Sequence, residues 1–160
     1  MPEPRPSTPL TAAELPVHQG SGYPPPFRLD AGGGVRRQVL GDAVGLTQFG
    51  VNLLLLAPGE SSAQRHWHTT EDELVYVLDG EVMLVSDAGE QALRAGDFAG
   101  FPAGHADAHQ LVNRSRSPAR LLELGSRRTD DQCHYPDVDL HFLRDADGRP
   151  VFTHKDGKPW

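Results

Sequence analysis

From residue 35 onward the chain alternates short apolar runs with turn signals and shows no helical periodicity. Val51-Asn52-Leu53-Leu54-Leu55-Leu56 and Leu74-Val75-Tyr76-Val77-Leu78 have the length of strands. Turn signals fall at Pro58-Gly59, Asp79-Gly80, Asp87-Ala88-Gly89 and Ala95-Gly96. Regular short strands of this kind predict an all-β barrel or sandwich. The two runs named above are apolar on both faces, whereas a barrel wall needs only one apolar face. The other face must be covered by a tail, a second sheet or another subunit. No internal repeat is visible.

The pattern divides the chain into a Pro/Gly-rich N-terminal arm (1–34), a β-barrel (35–125) and a C-terminal extension (126–160). Residues 1–26 hold eight of the fourteen prolines, including Pro24-Pro25-Pro26. Such a segment forms neither a helix nor a central strand, so it is expected to be extended, either disordered or laid over the barrel. Asp30-Ala31-Gly32-Gly33-Gly34 reads as a flexible joint. The extension is mostly polar, and Asp147-Gly148 and Asp156-Gly157 suggest turns and a small terminal hairpin.

The candidate chemistry lies within the barrel. His66 and His68 are two residues apart, so on a strand they share a face while Trp67 points away. On a helix the same spacing would separate them. Glu73 follows the polar link Thr69-Thr70-Glu71-Asp72 and shares a strand face with Val75 and Val77. Antiparallel pairing is expected to set it opposite the histidine pair. Glu71 and Asp72 compete with it for the carboxylate role. Further on, Ala108–Asn113 reads as the start of a strand and supplies His109 as a third imidazole. Imidazole and carboxylate together suit Zn, Fe, Mn, Ni or Cu more than Ca or Mg.

These two blocks resemble the paired signature motifs of the cupin superfamily, in its small single-domain form. The first motif is matched by Gly59, His66, His68, Glu73 and Gly80, with one extra residue before His66. The second is matched by Gly96, Pro102, Gly104, His109 and Asn113, with His109 two residues late and Asp107 where the pattern places histidine. The resemblance covers roughly residues 45–125. It implies a cupin-type double-stranded β-helix, or jelly-roll, barrel. It also implies one divalent transition metal (Fe, Mn, Ni or Zn) held by His66, His68, Glu73 and His109. The inserted residues leave His105 and Asp107 as alternatives to His109. The family commonly forms dimers through the outer sheet face, which agrees with the two-sided apolar strands, so a homodimer is expected.

Composition narrows the partners. The 160 residues fit one domain with a sizeable core. With 15 basic against 22 acidic residues the net charge is −7, which argues against a nucleic-acid face. Cys133 is the single cysteine, so neither an intrachain disulfide nor a Cys-rich zinc site forms. No apolar run is long enough to span a membrane, and the N-terminus lacks a secretion-signal pattern. A cytoplasmic protein acting on a small molecule is the expectation.

The resemblance implies several activities. A dioxygenase needs the metal, access for O₂ and an apolar pocket, for which Phe49, Val75, Val77 and Phe101 are candidates, although each reads first as plain barrel core. The alternatives are a sugar-phosphate isomerase or epimerase, a lyase, and a non-catalytic small-ligand-binding protein. An isomerase of phosphorylated sugars needs inward-facing Arg or Lys. Arg65 points away from the ligand face by alternation; Arg94, Arg114, Arg116 and Arg120 lie near turns, and Arg36 and Arg37 can contribute. Asp107, His105 and Tyr76 are candidates for a second titratable group. Asn52 and Asn113 are candidate polar supports, Asn113 equally a turn residue. His18, His134, His141 and His154 read as surface or packing residues.

Overall fold

Strands β3 (Phe49–Leu56), β10 (Ala119–Ser126) and β5 (Glu73–Asp79) set the interior by their register. β10 lies antiparallel between the other two, placing Leu121 opposite both Leu54 and Val77. All three side chains are essentially fully buried. The computed structural model describes residues 9–29 and 33–160. The remaining strands are β1 (His18–Gln19), β2 (Arg36–Val39), β4 (Trp67–His68), β6 (Glu81–Ser86), β7 (Gly89–Arg94), β8 (Phe98–Phe101), β9 (Gln110–Val112), β11 (Cys133–Tyr135), β12 (Leu140–Arg144) and β13 (Pro150–Thr153). One short helical turn, α1 (Leu40–Ala43), separates β2 from β3.

Three sheets form the jelly-roll barrel. One has the order β1-β2-β3-β10-β5-β8, the second β13-β12-β11-β4, and the third β7-β6-β9. Isolated bridges from Ser61 to Val112 and from His66 to His109 tie the second sheet's entry strand to the third. Because opposed residues share a face, interior rows can be read directly from the register. One row runs Val39, Asn52, Glu123, Val75 and Ala99; the next runs Gly50, Gly125, Glu73 and Phe101. Two glycines stand side by side in that second row, so the sheet leaves open space beside Glu73. Gly80, at the end of β5, has φ +81°, and a Cβ there would lie 2.8 Å from Pro118 O. The tight β5–β6 turn therefore requires glycine.

Both flanks of the barrel are built into it. In the arm, β1 extends the large sheet, and Tyr23 and Phe27 pack with Cys133, Tyr135, Leu140, Phe142 and Phe152 in a second apolar cluster. Ala12, Ala13 and Val17 stand beside Leu53 and Leu55 on the outer face. The laid-over form of the arm thus holds for residues 9–29. Residues 1–8, and Asp30, Ala31 and Gly32 of the expected joint, lie outside the described residues. The expected C-terminal hairpin is β12–β13, but the segment does more. β11 pairs with both β12 and β4, so this sheet carries the His68 strand. Across β5 and β8 the outer face is uncovered: Leu74, Tyr76, Leu78 and Phe98 are exposed. Among the described residues no helix is long and apolar enough to cross a membrane.

Leu121→Ala is expected to cost about 2–5 kcal/mol, because the rigid neighbours Leu54 and Val77 cannot close the cavity. Urea denaturation checks this as a lowered midpoint with an unchanged slope.

Candidate metal centre

The large sheet and the small ones meet at one carboxylate oxygen. Glu73 Oε2 lies 3.0 Å from His109 Nε2, 3.5 Å from His66 Nε2 and 3.5 Å from His68 Nε2. His66 and His109 are cross-paired by two backbone hydrogen bonds of 3.0 and 2.8 Å, which bring their rings together from separate sheets. Phe101 stacks flat on His109, with ring centres 3.4 Å apart. The four expected ligand residues are therefore brought together. His105 and Asp107 are not part of the group: His105 is exposed at the rim of a cavity of about 270 Å³, and Asp107 accepts the Asp87 N–H.

Glu73 does not reach the histidines as expected. β4 pairs with β11, whereas β5 pairs with β10 and β8, so Glu73 projects across the interior rather than along a shared ladder. Several candidate supports also lie elsewhere. Asn113 Nδ2 donates to Leu56 O and Ser117 O, as a turn residue does. Asn52 Nδ2 donates to Glu123. Tyr76 and Phe49 are exposed, while Val75 and Val77 are packed in the core. Arg65 points outward as expected, pairing with Asp137 and Asp87. His134 stacks on Trp67, and His154 stacks on Trp160.

The second nitrogen of each ring sets what the first can do. His66 Nδ1 is 2.7 Å from Gln64 O, an acceptor only, so Nδ1 carries the proton. His68 Nδ1 is 2.6 Å from Asp131 Oδ2. When these rings are neutral, both Nε2 atoms carry the lone pair that faces Glu73. Asp131 is itself fixed by the Thr70 and Glu71 backbone N–H groups and is almost fully buried. It is the functional residue that sequence reading missed. It lies 63 positions from His68 in a polar stretch with no spacing signal.

Electrostatics follow from this packing. Burial alone would raise the Glu73 carboxyl, but the adjacent His109 and His66 ring nitrogens, with His68 nearby, hold it well below the usual range. Burial opposes charge on His68, yet the Asp131 hydrogen bond and the Glu73 and Asp131 charges outweigh it and raise its pKa. Burial prevails at His109, where it lowers the pKa against the pull of Glu73. Asp131 is held low against burial by His68 and the Thr70 backbone N–H. In the metal-free protein the Glu73 and Asp131 contributions to stability are therefore full above the ordinary carboxylate range and are lost as pH falls through their lowered values.

A cation fits this donor set. Glu73 Oε2 is buried and accepts no well-directed hydrogen bond despite three nearby nitrogens, and His109 Nδ1 is likewise buried and unpartnered. His66, Glu73 and His109 offer ligand atoms within 4.8 Å of one another. Cys133 forms a second such group with His66 and His68, and Glu71 and Asp131 form a third with His68.

The fold and this cluster place the chain in the cupin superfamily, to which it belongs; residues 52–125 match the cupin domain family. Among solved structures it is similar to a cupin-superfamily sugar phosphate isomerase from Silicibacter pomeroyi, with 44% identity, 96% of each chain covered and a TM-score of 0.88. It is also similar to a candidate sugar phosphate isomerase from Acidithiobacillus ferrooxidans, with 30% identity, 92% of each chain covered and a TM-score of 0.78. The tetracenomycin polyketide synthase protein TcmJ of Streptomyces glaucescens is 32% identical over 91 residues, 57% of this chain; the match spans 59% of that relative's length.

Asp131→Asn, which keeps an oxygen for the Thr70 and Glu71 N–H groups, is expected to weaken metal binding about 10- to 100-fold while the barrel stays folded, since the orientation and basicity of His68 are lost. Competition with a chromophoric chelator, alongside circular dichroism, checks both parts.

Proposed function

We propose that the chain is a metal-dependent isomerase of a small phosphorylated sugar. The observation that carries this reading is a cavity of about 490 Å³ that reaches His66, His68 and Glu73 and is also lined by Arg37, Glu123 and Arg144. These charged groups, set beside Val35, Phe142 and Phe152, suit a small substrate with an anionic end. Of the lining expected for the dioxygenase reading, Val75 and Val77 are core and Phe49 is exposed, while Phe101 stacks on His109 beside a smaller cavity of about 270 Å³ that reaches His68 and Glu73. The likeness to the Silicibacter pomeroyi isomerase supports the same choice.

His66, His68, Glu73 and His109 would hold one divalent transition metal, Fe, Mn, Ni or Zn. When bound, such an ion supplies Lewis-acid polarisation of a substrate oxygen. The chain's own residues do the rest. Glu123 sits on the interior row next to that of Glu73, and Asn52 Nδ2 holds its Oε2 at 2.9 Å. This carboxylate is separate from the ligands and faces the same space, as proton transfer requires. In an aldose–ketose interconversion it takes the proton from the carbon beside the carbonyl and returns it to the former carbonyl carbon. The hydroxyl proton passes between the two oxygens, so nothing is consumed. Tyr23 and Tyr135 line the cavity with hydroxyls that burial keeps protonated, which makes them neutral hydrogen-bonding groups.

Two further measurements address activity and assembly. The metal-replete protein is expected to convert an aldose phosphate to its ketose in D₂O with deuterium incorporated at carbon, read by proton NMR. His68→Ala is expected to stay folded with sharply lower metal content and no conversion. Tight binding without conversion of any sugar phosphate would leave a ligand-binding protein, and oxygen uptake would restore the dioxygenase reading. A homodimer through the outer face of β5 and β8 is also proposed from the exposed Leu74, Tyr76, Leu78 and Phe98. Light scattering is expected to give twice the 17.4 kDa chain mass; a monomer at micromolar concentration would rule it out.

A further inference from the structure

Arg37 and Arg144 come from opposite walls of the barrel. Arg37, on β2, stands opposite Leu54, whose side chain is core, so it lies on the interior face of the large sheet. Arg144, on β12, is two residues from Phe142, which stands opposite Cys133 in the row that continues to His68. It therefore shares the interior face of the second sheet. Both arginines line the cavity that reaches the metal cluster, and both also line a wider opening beyond it, of about 640 Å³, that still touches Glu73. The space between exists because Gly50 and Gly125, opposed in register, put no side chains there.

The wider opening contains two other guanidinium groups, but each is engaged. Arg127 pairs with Asp42, and Arg128 pairs with Asp130. The carboxylates present have roles as well: Glu71 accepts the Arg128 N–H, Glu73 belongs to the cluster, and Asn52 holds Glu123. Arg37 and Arg144 differ from their neighbours. Arg144 forms no ion pair with a carboxylate among the described residues; it donates one hydrogen bond, to Gly148 O, and its guanidinium sits 5.5 Å from the centre of the Phe142 ring. That leaves most of its five donors unused on a group held against an aromatic face. Arg37 Nε is 3.4 Å from Glu123 Oε2 but is buried without a hydrogen-bond partner. Two under-used guanidiniums facing one open space match the geometry of a phosphate, whose oxygens accept forked donors.

We infer that Arg37 and Arg144 form the subsite that grips the phosphate monoester of the substrate, holding the sugar's other end between Glu123 and the metal cluster. The inference rests on the isomerase reading only for the identity of the ester. Both residues lie outside the segment 52–125 that matches the cupin domain. Strand β2 and the C-terminal strands thereby add substrate choice to a metal-binding barrel.

Calorimetry on the metal-replete full chain tests the subsite, with glucitol 6-phosphate, which has no carbonyl to isomerise, and with glucitol, inorganic phosphate and acetate as references. The phosphorylated alcohol is expected to bind well, glucitol and acetate weakly, and inorganic phosphate less tightly than the ester. Arg144→Gln, at a position with no carboxylate partner, is expected to weaken the ester on the order of 10- to 100-fold. Arg37→Gln is expected to act in the same direction, and the exposed Arg149→Gln to match the wild type. Wild-type binding by both Arg144→Gln and Arg37→Gln overturns the subsite; should Arg37→Gln fail to fold, Arg144→Gln decides alone. Inorganic phosphate binding as tightly as the ester overturns the ester assignment. Arg144-dependent ester binding without turnover of any aldose phosphate removes the isomerase reading and leaves the subsite standing. Turnover with an unchanged KM in Arg144→Gln does the reverse.

Discussion

Four electron-rich atoms are pressed toward one point in this barrel, and the rest of the structure answers to that constraint. Glu73 Oε2 has three imidazole Nε2 atoms within 3.5 Å. Two of those rings have their protons committed to Gln64 O and Asp131 on the far side. Lone pairs facing a buried carboxylate repel unless a cation or a shared proton sits among them. The architecture holds them there nonetheless, through the reciprocal backbone bonds between His66 and His109 and the flat stack of Phe101 on His109. The fold keeps this cluster well ordered, and its donor set is one that could hold a cation.

The barrel contributes position on one side and space on the other. The interior rows of the large sheet place Glu73 next to a pair of glycines and Glu123 one row further in, so ligand and carboxylate face a common cavity without blocking it. The second sheet brings His68 in register with Cys133 and Phe142, and the aromatic cluster of Tyr23, Tyr135 and Phe152 seals that wall. Four arginines meet at the mouth, although the chain as a whole carries −7. Arg127 and Arg128 are paired there with Asp42 and Asp130, and Glu71, Glu73 and Glu123 share the lining, so charges of both signs face the opening.

The residues legible in the sequence were those whose signal is local. His66 and His68 announce a strand face by their spacing, and Glu73, Val75 and Val77 by alternation. Gly80 announces its turn because a Cβ there would strike Pro118 O. The His-x-x-x-Asn spacing to Asn113 already favours His109 over His105, and the backbone pairing of His109 with His66 brings its ring into the group. Asp131 left no trace, because its partners are the His68 ring and two backbone amides about 60 positions away. β11 is three residues long, too short for alternation to show. Arg37 and Arg144 line one cavity only because β2 and the C-terminal strands are laid into the same barrel, a tertiary fact that no window of sequence contains.

The most direct measurement is anomalous diffraction from crystals of protein purified without chelators or a metal-affinity column. A cation-centred cluster predicts one strong peak bonded at about 2.0–2.2 Å to Nε2 of His66, His68 and His109 and to Glu73. A peak held instead by Glu71 and Asp131, or by Cys133, or no peak after reconstitution with Fe, Mn, Ni or Zn, would contradict it.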